Sequence, residues 1–240
     1  MKTYCNEFLK KYLCNDWIMD VLKTQMDNTR GGQEKNVRYN KWLYEMDNKR
    51  MIYADVYGDL LKNKTSIRPK VIDVGGGYTS LTHILASNCE YTLLDFLAHG
   101  GDDEVKECVN KRNMKWINMD WNEAVTEKDY DIVIANDIFP HVDQRMEMFI
   151  DKFLPICKEI RLIITYYNNP KYYATKRIDD PEIMTFLSWD GEITGIKLKK
   201  YYDRLINTSL DQIDKMKNEF SSIYKNGRQV SYVRIKGDIR

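Results

Sequence analysis

The sequence lacks a long apolar run, a paired-cysteine motif and an excess of charge of either sign. No window approaches the roughly 18 apolar residues of a membrane span, and the N-terminus lacks the apolar segment of a signal peptide. We therefore expect a cytoplasmic protein with no membrane partner. The five cysteines form no CxxC pair, which argues against a disulfide framework or a zinc site, and no metal is expected.

The charges are nearly balanced, with 37 Lys and Arg against 36 Asp and Glu. Such a balance provides no global attraction to nucleic acid, so no nucleic-acid partner is expected. The 240 residues, 43% of them apolar, can form one α/β domain with additions, or at most two small domains. Whether the chain is a monomer or a homodimer stays open.

Residues 1–66 are predicted to form an N-terminal helical cap. Apolar residues recur at steps of three and four over residues 8–22 and again over 39–61, which predicts two helices packed across the main domain. A sharper hypothesis makes this region a lid that brings Arg30, Arg38 or Tyr39 into a functional site.

From residue 70 onward, short apolar runs alternate with helical patterns. This alternation predicts an α/β fold, a Rossmann-like seven-stranded sheet that is mostly parallel and has an antiparallel last strand. Residues 67–240 form the main domain, with an insertion at about 168–205. We predict a loop over 171–180 and helices over 197–205 and 210–224. The predicted strands cover residues 71–74, 91–96, 114–120, 130–136, 159–167, 183–189 and 229–235.

A run of three glycines follows the first of these strands. Gly75, Gly76 and Gly77 come directly after residues 71–74, and a helical pattern begins at Leu81. Glycine allows a sharp turn and lets a ligand lie against the main chain, while the helix directs free N–H groups back at the turn. A strand, turn and helix of this kind can cradle a nucleotide, although a plain tight turn also fits the run.

Polar residues mark the ends of the next strands as well. Asp95 ends the second strand, about 20 residues after Asp73, the spacing of a carboxylate that accepts ribose hydroxyls. Asp120 at the end of the third strand can accept a hydrogen bond from an adenine amine, and Trp121 can stack on the ring. A core position for Trp121 fits equally well. Asn136 and Asp137 end the fourth strand, where the reactive end of such a ligand would lie.

Over about residues 68–168 the sequence resembles the class I S-adenosylmethionine-dependent methyltransferases. The acid and Gly-x-Gly turn of the family's first motif match Asp73-Val74-Gly75-Gly76-Gly77, and its later acids match Asp95 and Asp120. The fourth-strand signature matches residues 130–143, ending in His141-Val142-Asp143. Thr79 replaces the third glycine of the first motif, which disfavours a dinucleotide dehydrogenase.

The resemblance implies roles for these residues and a cofactor, S-adenosyl-L-methionine, with S-adenosyl-L-homocysteine as product. Asp73 and the Gly75, Gly76 and Gly77 backbone would hold the methionine end. Asp95 would bind the ribose, and its neighbour Phe96 belongs to the same cofactor site. Asp120 and Trp121 would bracket the adenine. Asn136 and Asp137 would line the sulfonium.

His141 is the first candidate for a catalytic base, since an imidazole pKa of roughly 6.5 suits proton abstraction near neutrality. A structural histidine at a helix start is the competing interpretation. Asp137, Tyr166 and Tyr167 are the other candidates.

The acceptor is predicted to be small and polar, with a phosphorylated or sugar-linked group. Tyr172, Tyr173, Lys176, Arg177 and Trp189 supply aromatic faces and cations for it. The chain is also similar to small bacterial methyltransferases encoded with surface-carbohydrate genes, including those proposed to make the O-methyl phosphoramidate of capsules. An N-methyltransferase for an amine or a protein, and a non-catalytic binding subunit, stay open.

Overall fold

The computed structural model describes residues 1–30, 39–63, 65–96, 102–112, 114–176, 183–218 and 221–239. The strands are β1 (Lys2–Thr3), β2 (Lys70–Val74), β3 (Glu90–Leu94), β4 (Lys115–Ile117), β5 (Tyr130–Asn136), β6 (Cys157–Tyr166), β7 (Lys171–Lys176), β8 (Ile183–Ser188) and β9 (Gln229–Lys236). The helices are α1 (Asn6–Leu13), α2 (Trp17–Arg30), α3 (Lys41–Glu45), α4 (Asp47–Lys62), α5 (Thr82–Asn88), α6 (Asp102–Arg112), α7 (Met146–Phe153), α8 (Gly191–Lys199) and α9 (Leu210–Asp214). None of the helices in these ranges has the length and apolarity to cross a membrane.

The main sheet has seven strands in the order β1-β9-β6-β5-β2-β3-β4. Strands β2 to β6 pair in parallel, and β9 runs antiparallel to β6. The predicted fold class is confirmed, including the antiparallel last strand. The apolar runs of β2, β5 and β6 lie at the centre of the sheet, where both faces are covered and continuous apolar sequence is required.

The predicted membership of the sheet is wrong at one strand. Residues 183–189 were expected to supply the sixth strand, but β8 pairs with β7 in a separate two-stranded hairpin. The seventh place in the main sheet belongs to β1, which lies outside β9. Residues 171–176 of the predicted loop form β7, whose Tyr173 pairs with and stacks on Phe186 of β8. Residues 177–180 of that loop lie outside the described residues.

Helices cover both faces of the sheet and form two cores. One core joins α2, α4, α5 and α6 to the sheet through residues such as Ile18, Val56 and Leu85. The other joins α7, α8 and α9 to the opposite face through Phe149, Leu198 and Ile213. This three-layer arrangement is the usual one for a parallel sheet.

The helix predictions need corrections. The helix expected over residues 8–22 is divided into α1 and α2 at residues 14–16, and the helix expected over 39–61 is divided into α3 and α4 at Met46. The helix expected over 197–205 lies earlier in the chain, because α8 begins after its Asp190 cap and ends at Lys199. The helix expected over 210–224 is shorter, because α9 ends at Asp214 before a 3-10 turn. A capping box of Ser209 and Gln212 fixes the start of α9.

Buried Arg161 of β6 fixes α4 over the sheet. Its guanidinium donates to the Asp59 carboxylate at 2.7 Å and to the Val56 carbonyl at 2.7 Å. Lys49, Tyr53 and Tyr57 are spaced four residues apart on α4 and therefore share one face of the helix. This face lies over the carboxyl ends of β2 and β5.

Candidate active site

The three glycines form a bend that only glycine adopts readily. Gly75 and Gly77 both have a φ of 63°, in the left-handed region that other residues rarely enter. The Gly75 N–H donates to the Leu94 carbonyl at 2.9 Å, and the Gly77 N–H donates to the Asp95 carboxylate at 2.9 Å. The bend after β2 is therefore tied to the end of β3.

The bend is closely packed on one side and open on the other. A Cβ on Gly76 would lie 2.6 Å from the Asp73 carboxylate, and one on Gly75 would lie 2.4 Å from Ile138 Cδ1. A Cβ on Gly77 would meet nothing within 4 Å among the described atoms. The backbone at Gly77 is thus bare and accessible, which fits a ligand that lies against the main chain.

Asp73 lies beneath the bend and is buried. Its carboxylate accepts hydrogen bonds from the Tyr91 hydroxyl at 2.7 Å and the Tyr57 hydroxyl at 3.2 Å. Burial raises the pKa of Asp73 to about 7, although the two tyrosine hydrogen bonds oppose that rise. The Tyr57 hydroxyl also reaches the side chain of Asn136.

Asp95 and Phe96 sit at the end of β3. The Asp95 N–H donates to the Ile117 carbonyl at 3.1 Å, and the Trp116 indole N–H donates to the Asp95 carbonyl at 2.8 Å. These bonds fix the backbone from which Phe96 projects. The Phe96 side chain is 57% exposed, so the structure holds an aromatic surface beside the Asp95 carboxylate.

Asp120 and Trp121 are adjacent in sequence but have different surroundings. Asp120 accepts from the Arg145 guanidinium at 2.9 Å, and these hydrogen bonds lower its pKa. Trp121 lies in the core, with its ring packed edge-on against Phe139 and Phe149 and the Arg145 guanidinium 4.8 Å from its centre. Of the two positions left open for Trp121, the structure shows the buried one.

Four segments meet at Asp137, just beyond β5. The Lys49 ammonium of α4 pairs with its carboxylate, Thr165 of β6 donates to it at 2.9 Å, and the Arg228 guanidinium donates at 3.1 Å. Together with His141, whose Nε2 lies 3.4 Å away, these residues are called the Asp137 cluster. Burial alone would raise the pKa of Asp137, but the charges of Arg228 and Lys49 hold it well below its usual range.

His141 is buried, and its ring stacks on Phe186 of the hairpin at 5.4 Å between centres. Burial lowers the pKa of His141 to about 4, against the opposing effect of Asp137. Its imidazole is therefore neutral at pH 7, but it is a weaker base than the unperturbed imidazole, with a pKa of roughly 6.5, that the sequence led us to expect. The structure thus places His141 beside Asp137.

The other base candidates are placed differently. Tyr166 is fully buried, and its hydroxyl lies 3.4 Å from the Ser231 hydroxyl. Tyr166 is not among the described side chains that contact Asp137 or His141, so the structure does not bring it to the cluster. Tyr167 lies near the cluster, because Arg228 is close enough to affect the pKa of the Tyr167 hydroxyl. The Tyr167 ring packs on Tyr173 with 5.7 Å between the ring centres.

The acceptor residues predicted after β6 separate into two groups. Tyr173 faces inward with Phe186, whereas Tyr172 is 77% exposed on the outer face of the hairpin. Lys176 is exposed at the hairpin end, and Trp189 lies under the Lys197 ammonium at 5.8 Å. Arg177 lies outside the described residues.

Of the three residues in the lid hypothesis, the structure describes the side chain of Tyr39, which stacks on Tyr44 at 4.5 Å. Both Arg38 and the Arg30 side chain lie outside the described residues. Among the described side chains of residues 1–66, Lys49 of α4 reaches the Asp137 cluster.

Sequence reasoning missed Lys49, Thr165 and Arg228 as members of the site. For Arg228 a signal existed, because it immediately precedes the last strand. An antiparallel β9 begins at the edge where β6 ends, and Tyr166 pairs with Gln229. For Lys49 and Thr165 the sequence carried no comparable signal.

Comparisons with known proteins show the fold. No family profile and no curated protein matches the sequence, whereas many solved structures match it. The structure of Burkholderia thailandensis 1,6-didemethyltoxoflavin-N1-methyltransferase with bound 1,6-didemethyltoxoflavin and S-adenosylhomocysteine matches 92% of this chain and 88% of its own, with a TM-score of 0.52 and 10% identity.

Two further structures are similar. A putative S-adenosylmethionine-dependent methyltransferase from Listeria monocytogenes matches 78% of this chain and 99% of its own, with a TM-score of 0.48 and 9% identity. N-methyltransferase NodS from Bradyrhizobium japonicum matches 80% and 98%, with a TM-score of 0.46 and 9% identity. The structural likeness to the Burkholderia enzyme, at 10% sequence identity, shows the fold alone. This fold is the Rossmann-like methyltransferase fold.

Proposed function

We propose that this chain is an S-adenosylmethionine-dependent methyltransferase that acts on a small polar acceptor. The observation that carries the proposal is the bond from the Gly77 N–H to the Asp95 carboxylate at 2.9 Å, beside an exposed Phe96. A bare backbone, a carboxylate and an aromatic surface meet there at the carboxyl edge of a parallel sheet, where such folds bind nucleosides.

Each part of the cofactor has a matching residue. A carboxylate has about four acceptor positions, so Asp95 can accept ribose hydroxyls while it holds Gly77. Phe96 offers its exposed face to the adenine, a role for which it is better placed than buried Trp121. Asp120 is ionised and can accept from the exocyclic amine. Gly75 to Gly77 and Asp73 lie where the methionine end would be held.

Bound S-adenosylmethionine supplies a methyl group on a sulfonium that is already a good leaving group. The residues of the chain then have to align the acceptor and, for a hydroxyl acceptor, to take its proton. We assign that proton to the neutral imidazole of His141, because the Asp137 carboxylate nearby stabilises the imidazolium that forms. Asp137 is held ionised by two cations and is a poorer base than its neighbour.

Titration calorimetry with S-adenosylhomocysteine and with NAD tests the cofactor. We expect binding of S-adenosylhomocysteine and none of NAD. Asp95→Asn removes a charged hydrogen-bond acceptor, worth about 1.5–3 kcal/mol, and should weaken binding of S-adenosylhomocysteine at least tenfold. Asp103→Asn changes an exposed carboxylate of α6 and is the matched control. Unchanged affinity in Asp95→Asn, or tighter binding of NAD, would contradict the proposal.

Phe96→Ala tests the adenine surface separately. Because the side chain is exposed, its removal should change the free energy of unfolding by no more than about 0.5 kcal/mol. The same substitution should weaken the binding of S-adenosylhomocysteine. The partly exposed Phe8 of α1 provides the control substitution Phe8→Ala. If Phe96→Ala binds as tightly as the unmodified protein, the adenine lies elsewhere.

The type of acceptor atom is tested at His141. For a hydroxyl acceptor, His141→Ala should lower kcat by about 100-fold or more, whereas a neutral amine acceptor needs no strong base and would be little affected. A panel of sugar-linked, phosphorylated and amine acceptors distinguishes O- from N-methylation, and turnover with none of them favours a binding subunit. Methylation of a surface-carbohydrate precursor stays a prediction.

A further inference from the structure

The Asp137 cluster contains more positive than negative charge. Lys49 and Arg228 both pair with the single carboxylate of Asp137, and their side chains are 19% and 14% exposed. In the part of the chain that the structure describes, no other carboxylate pairs with either cation. Since His141 is neutral, one positive charge is left without a partner in a mostly buried site. Such a charge favours an anionic ligand.

The place of Arg228 in the sheet separates it from the glycine bend. Arg228 immediately precedes β9, and the strand order places β9 three positions from β2. Neighbouring strands lie about 4.8 Å apart, so the two strands are about 14 Å apart. Arg228 therefore approaches Asp137 from the side that faces away from Gly75 to Gly77, where an acceptor would approach the transferred methyl group.

Aromatic rings hold Arg228 in place. Its guanidinium lies 4.1 Å from the centre of the Tyr224 ring, and Tyr167 and Tyr173 are close enough to interact with it electrostatically. Lys171 adds a further cation at the rim, with its ammonium 4.4 Å from the centre of the Tyr167 ring. A guanidinium stacked on an aromatic ring keeps its planar fork of donors fixed, which suits a carboxylate or phosphate.

We propose that Lys49 and Arg228 bind an anionic group, a carboxylate or a phosphate, of the methyl acceptor. The identification of the bound anion as part of the methyl acceptor rests on the proposed methyltransferase function. The existence of the anion site does not depend on that function. Asp137 has the role of holding the two cations in register. The methyl acceptor is thereby assigned to the class of small anionic molecules.

Inorganic phosphate is the probe that tests the site. Phosphate binding to the full chain is measured by calorimetry at constant ionic strength, with chloride as the competing salt, in the presence and absence of S-adenosylhomocysteine. We expect phosphate to bind more tightly than chloride. Arg228→Gln and Lys49→Met should each weaken the binding of phosphate at least fivefold. Arg228→Lys, which keeps the charge, should weaken phosphate binding less. Arg204→Gln breaks an exposed ion pair elsewhere and should change nothing.

Cofactor binding distinguishes the source of the anion. Affinity for S-adenosylhomocysteine should stay within threefold in Arg228→Gln and Lys49→Met, each shown to be folded by circular dichroism. A loss of S-adenosylhomocysteine affinity that spares 5′-methylthioadenosine, which lacks the amino-acid end, would assign the pair to the cofactor carboxylate and overturn the proposal. Equal phosphate affinity in all variants would also overturn it. Phosphate binding that depends on the pair, without any cofactor binding, would refute only the methyltransferase function.

Discussion

The carboxyl edge of the sheet has two halves that are built in different ways. The glycine half consists of the bend after β2 with Asp73, Asp95 and Asp120, and each of these residues lies in a strand or within three positions of its end. The Asp137 cluster gathers side chains from α4, β5, β6 and the start of β9. The first half is a property of neighbouring chain segments, and the second exists only when distant segments meet.

The two halves also use charge differently. In the glycine half, buried Asp73 is bonded by neutral hydroxyls and its pKa is raised to about 7. In the Asp137 cluster two cations compensate one carboxylate, whose pKa is lowered. Backbone shape therefore determines the glycine half, whereas the pairing of opposite charges determines the cluster.

Asp137→Asn should have the largest effect. Loss of the carboxylate leaves Lys49 and Arg228 buried without a counter-charge, which should lower the free energy of unfolding by about 3 kcal/mol or more. Asparagine tolerates the left-handed backbone of Asp137, whose φ is 67°, so the substitution isolates the charge. Urea unfolding measures the change.

Asp129→Asn is the matched control for that substitution. Asp129 has a φ of 65° and is exposed, so its replacement should change the free energy of unfolding by less than about 0.5 kcal/mol. Equal losses in the two variants would show that the backbone, and not the charge, matters at Asp137.

Gly76→Ala should have the next largest effect, and through sterics alone. Its Cβ would lie 2.6 Å from the Asp73 carboxylate, so we expect a loss of about 1–3 kcal/mol in the free energy of unfolding. Gly77→Ala meets open space but has a φ of 63° and should lose about 1 kcal/mol. A smaller loss for Gly76→Ala than for Gly77→Ala would show that the close packing beneath the bend is not limiting.

The smallest effects are opposite dependences of stability on pH in the two halves. The pKa of Asp73 is raised to about 7, above its unfolded value of about 3.9, so its stabilisation is full below pH 4 and is lost as the pH rises to 7. The pKa of His141 is lowered to about 4, below about 6.5, so its contribution is lost as the pH falls from 6.5 to 4. Each slope is at most about 1.4 kcal/mol per pH unit.

Removal of Asp73 or of His141 should leave the pH dependence of stability dominated by the other of the two residues. Relative to the unmodified protein, His141→Phe should make stability fall more steeply as the pH rises from 4.5 to 6.5, and Asp73→Asn should do the reverse. Urea unfolding at pH 4.5, 5.5 and 6.5 gives the slopes, and the comparison does not depend on the absolute stability of either variant. A shift of both slopes in the same direction would refute the assignment.

The sequence predicted the glycine half almost completely. Gly75 to Gly77, Asp73 and Asp95 lie where their order along the chain placed them, because parallel strands bring their carboxyl ends to one edge. Trp121 is the exception, since a sequence pattern does not distinguish an aromatic ring that faces a ligand from one that packs on Phe139 and Phe149. The exchange of β8 for β1 in the sheet was equally unpredictable, because a two-residue strand has no periodicity to detect.

The sequence by itself determined the alternation of strands and helices, and with it the fold class and the glycine bend at the carboxyl edge of the sheet. These features follow from local rules of turn geometry and apolar periodicity. Only the tertiary structure decided that Lys49 and Arg228, which are 179 positions apart in the sequence, share the carboxylate of Asp137. Pairing of charges depends on distance in space, and that distance is set by how α4 and β9 pack against the sheet.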